Sequence, residues 1–180
     1  FIERKQPFAV YRIPGEKIPC LVTQEEGAVR LIYDLQELNG QRGFVIAPFR
    51  PNETCPILLI QSNGPGQPLL LADDADAVPR DIPSTDYPSC SEEYAECFRT
   101  FISALRDKTF EKLVLSRKLT IGKPSAFSPS LAFRAACQRY IHSYIYLCYT
   151  PQTGIWLGST PEIILSGEKD DWHTVALAGT

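Results

Sequence analysis

The sequence predicts an α+β fold with a mainly antiparallel sheet and flanking helices. Three observations support this class. Short apolar runs separated by turn signals fill residues 8–72, which is typical of β-strands. Residues 89–108 and 128–142 carry helix signals. Residues 144–177 resemble consecutive hairpin strands, so strands and helices do not alternate as a doubly wound βαβ fold requires.

The N-terminal strands are predicted from short apolar runs bounded by turn residues. They are 8–13, 43–49, 57–61 and 69–72. Pro14-Gly15 ends the first, and Asn63-Gly64-Pro65-Gly66 separates the last two. Residues 73–88 are polar and contain three prolines, which indicates a surface connection.

A change of period predicts the first helix. Its apolar positions follow helical spacing, at Tyr94, Cys97, Phe98, Phe101, Ile102 and Leu105. Ser89 and Glu92 have capping-box spacing, while Arg106 and Lys108 suit the C-terminal end. Residues 112–120 then alternate with period two, which predicts a strand.

The second helix is predicted to begin after Ser128, an N-cap residue followed by proline, and to end near His142. A strand over 144–149 and a turn over 151–154 come next. Further strands are predicted at 155–158, 162–166 and 174–177, the last two joined around 168–171.

Composition excludes several classes of function. The chain has 180 residues, 18 basic and 21 acidic side chains, and a net charge of −3. It has no basic patch for nucleic acid and no apolar run long enough for a membrane span, whereas a small anionic substrate remains possible. None of its six cysteines shows CxxC spacing, so we expect free thiols in a cytoplasmic protein.

Three short segments could carry chemistry. Lys112 heads the alternating segment 110–117, Glu162 opens an apolar stretch after a Gly-Ser-Thr-Pro turn, and Ala178-Gly179-Thr180 follows the last predicted strand. Taken singly, each suits a solvent-exposed charge or an ordinary strand exit. A base would need a partly desolvated lysine, and an acid a carboxyl beside buried apolar residues. The glycine would permit close backbone approach of a ligand.

Together these segments resemble the chorismate-utilising enzymes, which include isochorismate, anthranilate, aminodeoxychorismate and salicylate synthases. The family pattern has [F/y]-x-K-[V/l]-V-L-[S/A]-R, then G-[A/S]-[S/T]-P-E-x-L, then A-G-T. This chain reads FEKLVLSR, GSTPEIIL and AGT in the same order, and the resemblance covers residues 89–180. Lys112 is typical of members that activate water, and Ala178 replaces the nucleophilic lysine of many aminodeoxychorismate synthases. Both features favour the isochorismate and salicylate synthases.

The resemblance implies that chorismate is the substrate and isochorismate the product. Lys112 would be the general base and Glu162 the general acid. Ala178, Gly179 and Thr180 would contact the substrate, the last two holding a carboxylate. Mg²⁺ is the implied cofactor, with ligands expected beyond Thr180.

The resemblance and the missing methionine also predict an incomplete chain. We expect residues 1–180 to be the N-terminal portion of one catalytic domain. Residues 1–82 form its β-rich segment, and 83–180 carry the family motifs. This portion alone is expected to be inactive, and its parent to be a monomer.

Two alternatives stay open. A salicylate synthase would add a lyase step at the same site, since it shares Lys112 and Ala178 with isochorismate synthase. A non-catalytic domain that binds a small acid or a partner protein is the other alternative. The sequence does not distinguish menaquinone, siderophore and salicylate pathways.

Overall fold

The computed structural model describes residues 1–62, 64–70, 92–118, 120–125 and 127–175. Within these ranges the helices are α1 (Glu92–Arg106) and α2 (Pro129–Arg139), with a 3₁₀ turn at Leu35–Leu38. The strands are β1 (Phe8–Arg12), β2 (Cys20–Thr23), β3 (Arg30–Ile32), β4 (Gly43–Ile46), β5 (Ile57–Gln61), β6 (Gln67–Pro68), β7 (Tyr144–Thr150), β8 (Gly154–Thr160), β9 (Ser166–Glu168) and β10 (Asp171–His173).

The strands pair antiparallel, which confirms the predicted α+β class. One sheet has the order β6-β2-β1-β7-β8, a second has β3-β5-β4, and β9 pairs with β10. The central pair joins distant parts of the chain, because Phe8 lies opposite Tyr149 and Arg12 opposite Ile145.

The described residues fall into two compact units. Residues 1–62, 64–70 and 128–175 form the first, which contains α2 and every described strand. Residues 92–118, 120–125 and 127 form the second, which contains α1. Each unit is described by itself below.

In the first unit, successive side chains of the five-stranded sheet point to opposite faces, and both faces are covered by other elements. Phe8 and Val10 of β1 pack with Phe133 of α2 on one face. Ala9 of β1 packs with Ile60 of β5 on the other. The sheet therefore lies between a helix and the three-stranded sheet.

Two local interactions fix α2. The Ser128 side chain accepts a hydrogen bond from the backbone N–H of Leu131, as an N-cap does, and Pro129 begins the helix. Beyond its other end, the buried Arg12 guanidinium donates to the carbonyls of Tyr140 (2.6 Å), Ile141 (3.0 Å) and Ser143 (3.0 Å). The predicted N-cap is confirmed, and the helix ends at Arg139, three residues before the predicted end.

The predicted strand over 112–120 is wrong for its described residues. None of them lies in a strand, although Leu113 and Leu115 are half-buried between exposed neighbours. The exposure of these side chains therefore does alternate with period two, as predicted. The segment is still not a strand, because a strand also requires hydrogen bonds to a neighbouring strand, which periodicity does not provide.

Smaller differences concern strand limits. Leu69 and Leu70 lie outside any strand, and β6 occupies the preceding two residues instead. A C-terminal hairpin exists, with β9 and β10 as its strands; of the predicted strands, Ser166 alone lies in one, and the described residues 162–165 and 174–175 do not. Strands β2 and β3 were not predicted. The end of the predicted strand 69–72, the predicted surface connection 73–88, the Ser89 cap and the end of the predicted strand 174–177 lie outside the described residues.

In the second unit, α1 confirms the predicted helix over its described length. Its apolar face is only partly covered, with Phe98 50% exposed and no buried residue in the helix. Neither helix in the described ranges is long and apolar enough to cross a membrane.

Candidate active site

Glu162 lies just beyond β8, and pairing with β7 fixes the path of that strand. The two strands pair along their whole length, from Thr150 opposite Gly154 to Tyr144 opposite Thr160. At the exit, the Thr160 Oγ1 accepts a hydrogen bond of 3.1 Å from the backbone N–H of Glu162. Threonine hydroxyls commonly bond the backbone two residues ahead, and the bond here orders the turn that contains Pro161.

Gly158 of the same motif is opposite Tyr146 in the β7–β8 register. A Cβ at position 158 would overlap the Tyr146 ring. Packing therefore explains the glycine at this motif position, since the Tyr146 ring occupies the space that any side chain would need.

A cavity of about 560 Å³ lies beside this strand exit, between the two larger sheets. Five of its eleven described lining residues are aromatic, and Thr160 belongs to the lining whereas Glu162 does not. Ring contacts link the lining residues, with centroid distances of 5.7 Å for Tyr11–Tyr144 and 6.2 Å for Phe44–Tyr146. These ring contacts pack the aromatic residues of the cavity wall against one another, next to the strand that leads to Glu162.

Burial keeps the polar groups of this wall protonated. It raises the pKa of the Tyr144 hydroxyl well above its usual value, and raises the pKa of Tyr146 as well. It also raises the pKa of the Cys148 thiol to about 11. At neutral pH these groups are therefore neutral hydrogen-bonding groups, not bases or thiolate nucleophiles.

The carboxyl group of Glu162 is exposed. Ile163 is half-buried, but Ile164 and Leu165 are 82% and 62% exposed. The setting that a general acid would need, a carboxyl beside buried apolar residues, is not present around Glu162 in the described chain, because the apolar stretch leaves the sheet after Thr160 instead of continuing inside it.

Lys112 lies in the second unit and is exposed too. The exposed charge that the sequence favours for Lys112 taken singly is therefore present, and the partly desolvated lysine that a base would need is not present in the described chain. The motif is tied to α1 by Arg117, whose guanidinium lies 5.6 Å from the centroid of the Tyr94 ring. This cation–π contact gives the motif arginine a structural role within its unit.

The described residues that precede the third motif lie beside the second motif. The Thr174 hydroxyl donates to the carbonyl of Ile164 at 2.7 Å, and the Val175 N–H donates to that of Ile163 at 3.3 Å. The chain leading to the third motif therefore runs alongside the residues that follow Glu162. Ala178, Gly179 and Thr180 lie outside the described residues, so their predicted substrate contacts stay predictions.

Within the described ranges, no group of three or more His, Cys, Asp or Glu side chains could hold a metal ion. Among these residues Mg²⁺ therefore finds no such cluster, and no ligand is assigned to it.

Sequence reasoning missed the residues that support Glu162. Tyr146 acts through cross-strand packing and belongs to no motif, whereas Thr160 belongs to the second motif but its hydrogen bond to Glu162 was not predicted. The available signal for Tyr146 was the aromatic residue in the apolar run 144–148, next along the chain to a strand that contains a glycine.

Comparison with known proteins gives one match. The sequence model of the family described as chorismate binding enzyme matches residues 71–180, which is more than half of the chain. No curated protein and no solved structure matches the sequence. The matched region includes all three motifs and the β7–β8 pair that leads to Glu162. The chain therefore belongs to the chorismate-binding enzyme family.

Proposed function

We propose that the protein is an isochorismate synthase, which converts chorismate into isochorismate. The observation that carries the proposal is the presence of Lys112, with Glu162 and Ala178, at the motif positions of a chorismate-binding enzyme. Lysine at the first position suits members that add water rather than ammonia. Alanine at the third position removes the nucleophilic amine that many aminodeoxychorismate synthases use.

The reaction exchanges one hydroxyl position for another. Lys112, as the neutral amine, would accept a proton from water while the water oxygen forms a bond to C2 of chorismate. The ring double bonds shift, the C4–O bond breaks, and Glu162 as the protonated acid would donate to the departing hydroxyl. One water enters and one leaves, so substrate and product are isomers.

These roles require opposite protonation states, with a neutral amine and a neutral carboxyl at the same pH. Because both side chains are exposed in the described chain, these roles would require bound substrate to remove water from each of them.

Substrate and metal contacts complete the proposal. Ala178, Gly179 and Thr180 would contact chorismate, with a backbone N–H and the Thr180 hydroxyl holding a carboxylate. Mg²⁺ would bind a substrate carboxylate, since it prefers oxygen ligands and commonly pairs with substrate anions.

Product analysis tests the proposal. The protein produced from its complete reading frame is incubated with chorismate and Mg²⁺, and the products are separated by liquid chromatography. Isochorismate as the sole product supports the proposal. Salicylate with pyruvate would identify a salicylate synthase, and saturable chorismate binding without turnover would identify a non-catalytic binding domain; either result refutes it.

A further inference from the structure

A hydrogen bond from the backbone N–H of Glu162 to Thr160 Oγ1 lies within the second motif. At 3.1 Å it has normal length for an N–H···O bond. It spans Pro161, which fixes its own φ and donates no backbone hydrogen bond. The threonine hydroxyl is therefore the group seen to restrain the backbone of Glu162 from within the turn.

Thr160 itself is well anchored. It is the last residue of β8, lies opposite Tyr144 and is half-buried against the aromatic cavity. Tyr144 in turn stacks on Tyr11 of the central strand β1. The hydroxyl consequently belongs to the packed sheet, while the exposed Glu162 side chain lies beyond it.

We propose that Thr160 is a positioning residue that holds the Glu162 backbone so that its carboxyl meets the leaving hydroxyl of the substrate. This inference rests on the proposed role of Glu162 as general acid. An exposed carboxyl samples several rotamers, so an ordered backbone narrows the positions from which it can donate a proton. Thr160 makes no proton transfer of its own.

Three substitutions separate positioning from simple stabilisation. Thr160→Val keeps the shape and removes the hydroxyl, whereas Thr160→Ser keeps the hydroxyl and removes a methyl group. Ser159→Ala is the matched control, because Ser159 is the neighbouring hydroxyl on the opposite face of β8 and is exposed. Each variant is made in the protein from the complete reading frame.

Two readouts are needed. Steady-state kinetics with chorismate should show kcat of Thr160→Val lowered about tenfold or more, since small misplacements of catalytic groups cost up to roughly 10² in rate. KM should change little, and Thr160→Ser and Ser159→Ala should stay close to the unaltered protein. Amide hydrogen exchange should show the Glu162 N–H protected in Thr160→Ser and unprotected in Thr160→Val.

Unchanged kcat in Thr160→Val, or an equal loss in Thr160→Ser, overturns the inference. So does a loss of kcat that merely follows a loss of thermal stability. Glu162→Gln is measured in parallel. If that variant keeps full kcat, the proposed acid role fails, whereas a low kcat there with normal kcat in Thr160→Val sinks only the positioning role.

Discussion

The ring of Tyr146 lies against the backbone of Gly158 across the β7–β8 pair. Both residues lie on the face of the sheet that lines the aromatic cavity. The absence of a side chain at Gly158 lets the tyrosine ring occupy the space beside the strand that leads to Glu162. This pairing fixes the position of that strand from the side, as the Thr160 bond does at its end.

Gly158→Ala should therefore destabilise the chain. The new Cβ would overlap the Tyr146 ring, and overpacking of this kind costs about 1–3 kcal/mol of unfolding free energy. Urea unfolding followed by circular dichroism measures the loss. Gly64→Ala is the control, because a Cβ there meets no atom within 4 Å, and it should change stability by less than about 0.5 kcal/mol.

A double variant identifies the cause. If ring overlap is responsible, Tyr146→Ala with Gly158→Ala should be no less stable than Tyr146→Ala alone, because the ring is already gone. Additive losses in the double variant would show that the glycine is needed for another reason.

Arg12 should be essential for the connection after α2. It is 3% exposed, and its guanidinium donates to three carbonyls in the residues that follow the helix. Arg12→Leu would leave these acceptors without their donor, which should cost about 2–4 kcal/mol of unfolding free energy.

Arg139→Leu is the matched control for this change. Arg139 ends the same helix but is exposed, with its guanidinium near the Tyr140 ring, so its loss should cost about 1 kcal/mol at most. Equal losses in the two variants, measured by urea unfolding, would contradict the role given to the buried arginine.

Stability should fall above pH 9, partly because of Cys148. Burial raises the pKa of this thiol from 9.0 in the unfolded chain to about 11 in the folded one. Below pH 9 both states keep the proton, so the thiol does not alter stability there. Between pH 9 and 11 the unfolded state ionises first, and the folded state loses stability relative to it.

The slope of unfolding free energy against pH measures this effect. Cys148→Ala should show a shallower decline between pH 9 and 11, since Tyr144 and other groups with raised pKa values remain. Cys55→Ala is the control, because Cys55 is an exposed thiol and its removal should leave the slope unchanged. An identical slope in all three proteins would refute the assignment to Cys148.

The sequence predicted correctly those elements that depend on interactions between residues close together in the chain. The hydroxyl of Ser128 and the ring of Pro129 act within one helical turn, so they could be placed without tertiary information. Strand β5 was predicted at its full length for a similar reason, because its apolar run is bounded by turns. Strand β2 was missed, since its four residues are defined by pairing with β1 rather than by a pattern of their own.

In the candidate site, too, local signals could be read from the sequence whereas tertiary contacts could not. Lys112 and Glu162 could be found because they belong to ordered motifs. The packing of Tyr146 on Gly158 could not be found, since it depends on the register that puts these two residues opposite each other. The exposure of Lys112 agrees with what its segment suggests by itself, but alternation predicts which side chains share a face and not whether another layer covers it.

The catalytic roles predict a specific kinetic loss. In the protein from its complete reading frame, Lys112→Ala and Glu162→Gln should each lower kcat by orders of magnitude, since general acids and bases typically contribute 10²–10⁴-fold. KM should change modestly, because both groups would act on the reacting atoms more than on substrate binding. Lys118→Ala and Glu168→Gln are the matched controls, as both are exposed charges on neighbouring stretches of the chain, and they should retain normal kcat. Near-normal kcat in both Lys112→Ala and Glu162→Gln would refute the assigned roles, and an equal loss in the controls would point to a general effect of surface charge.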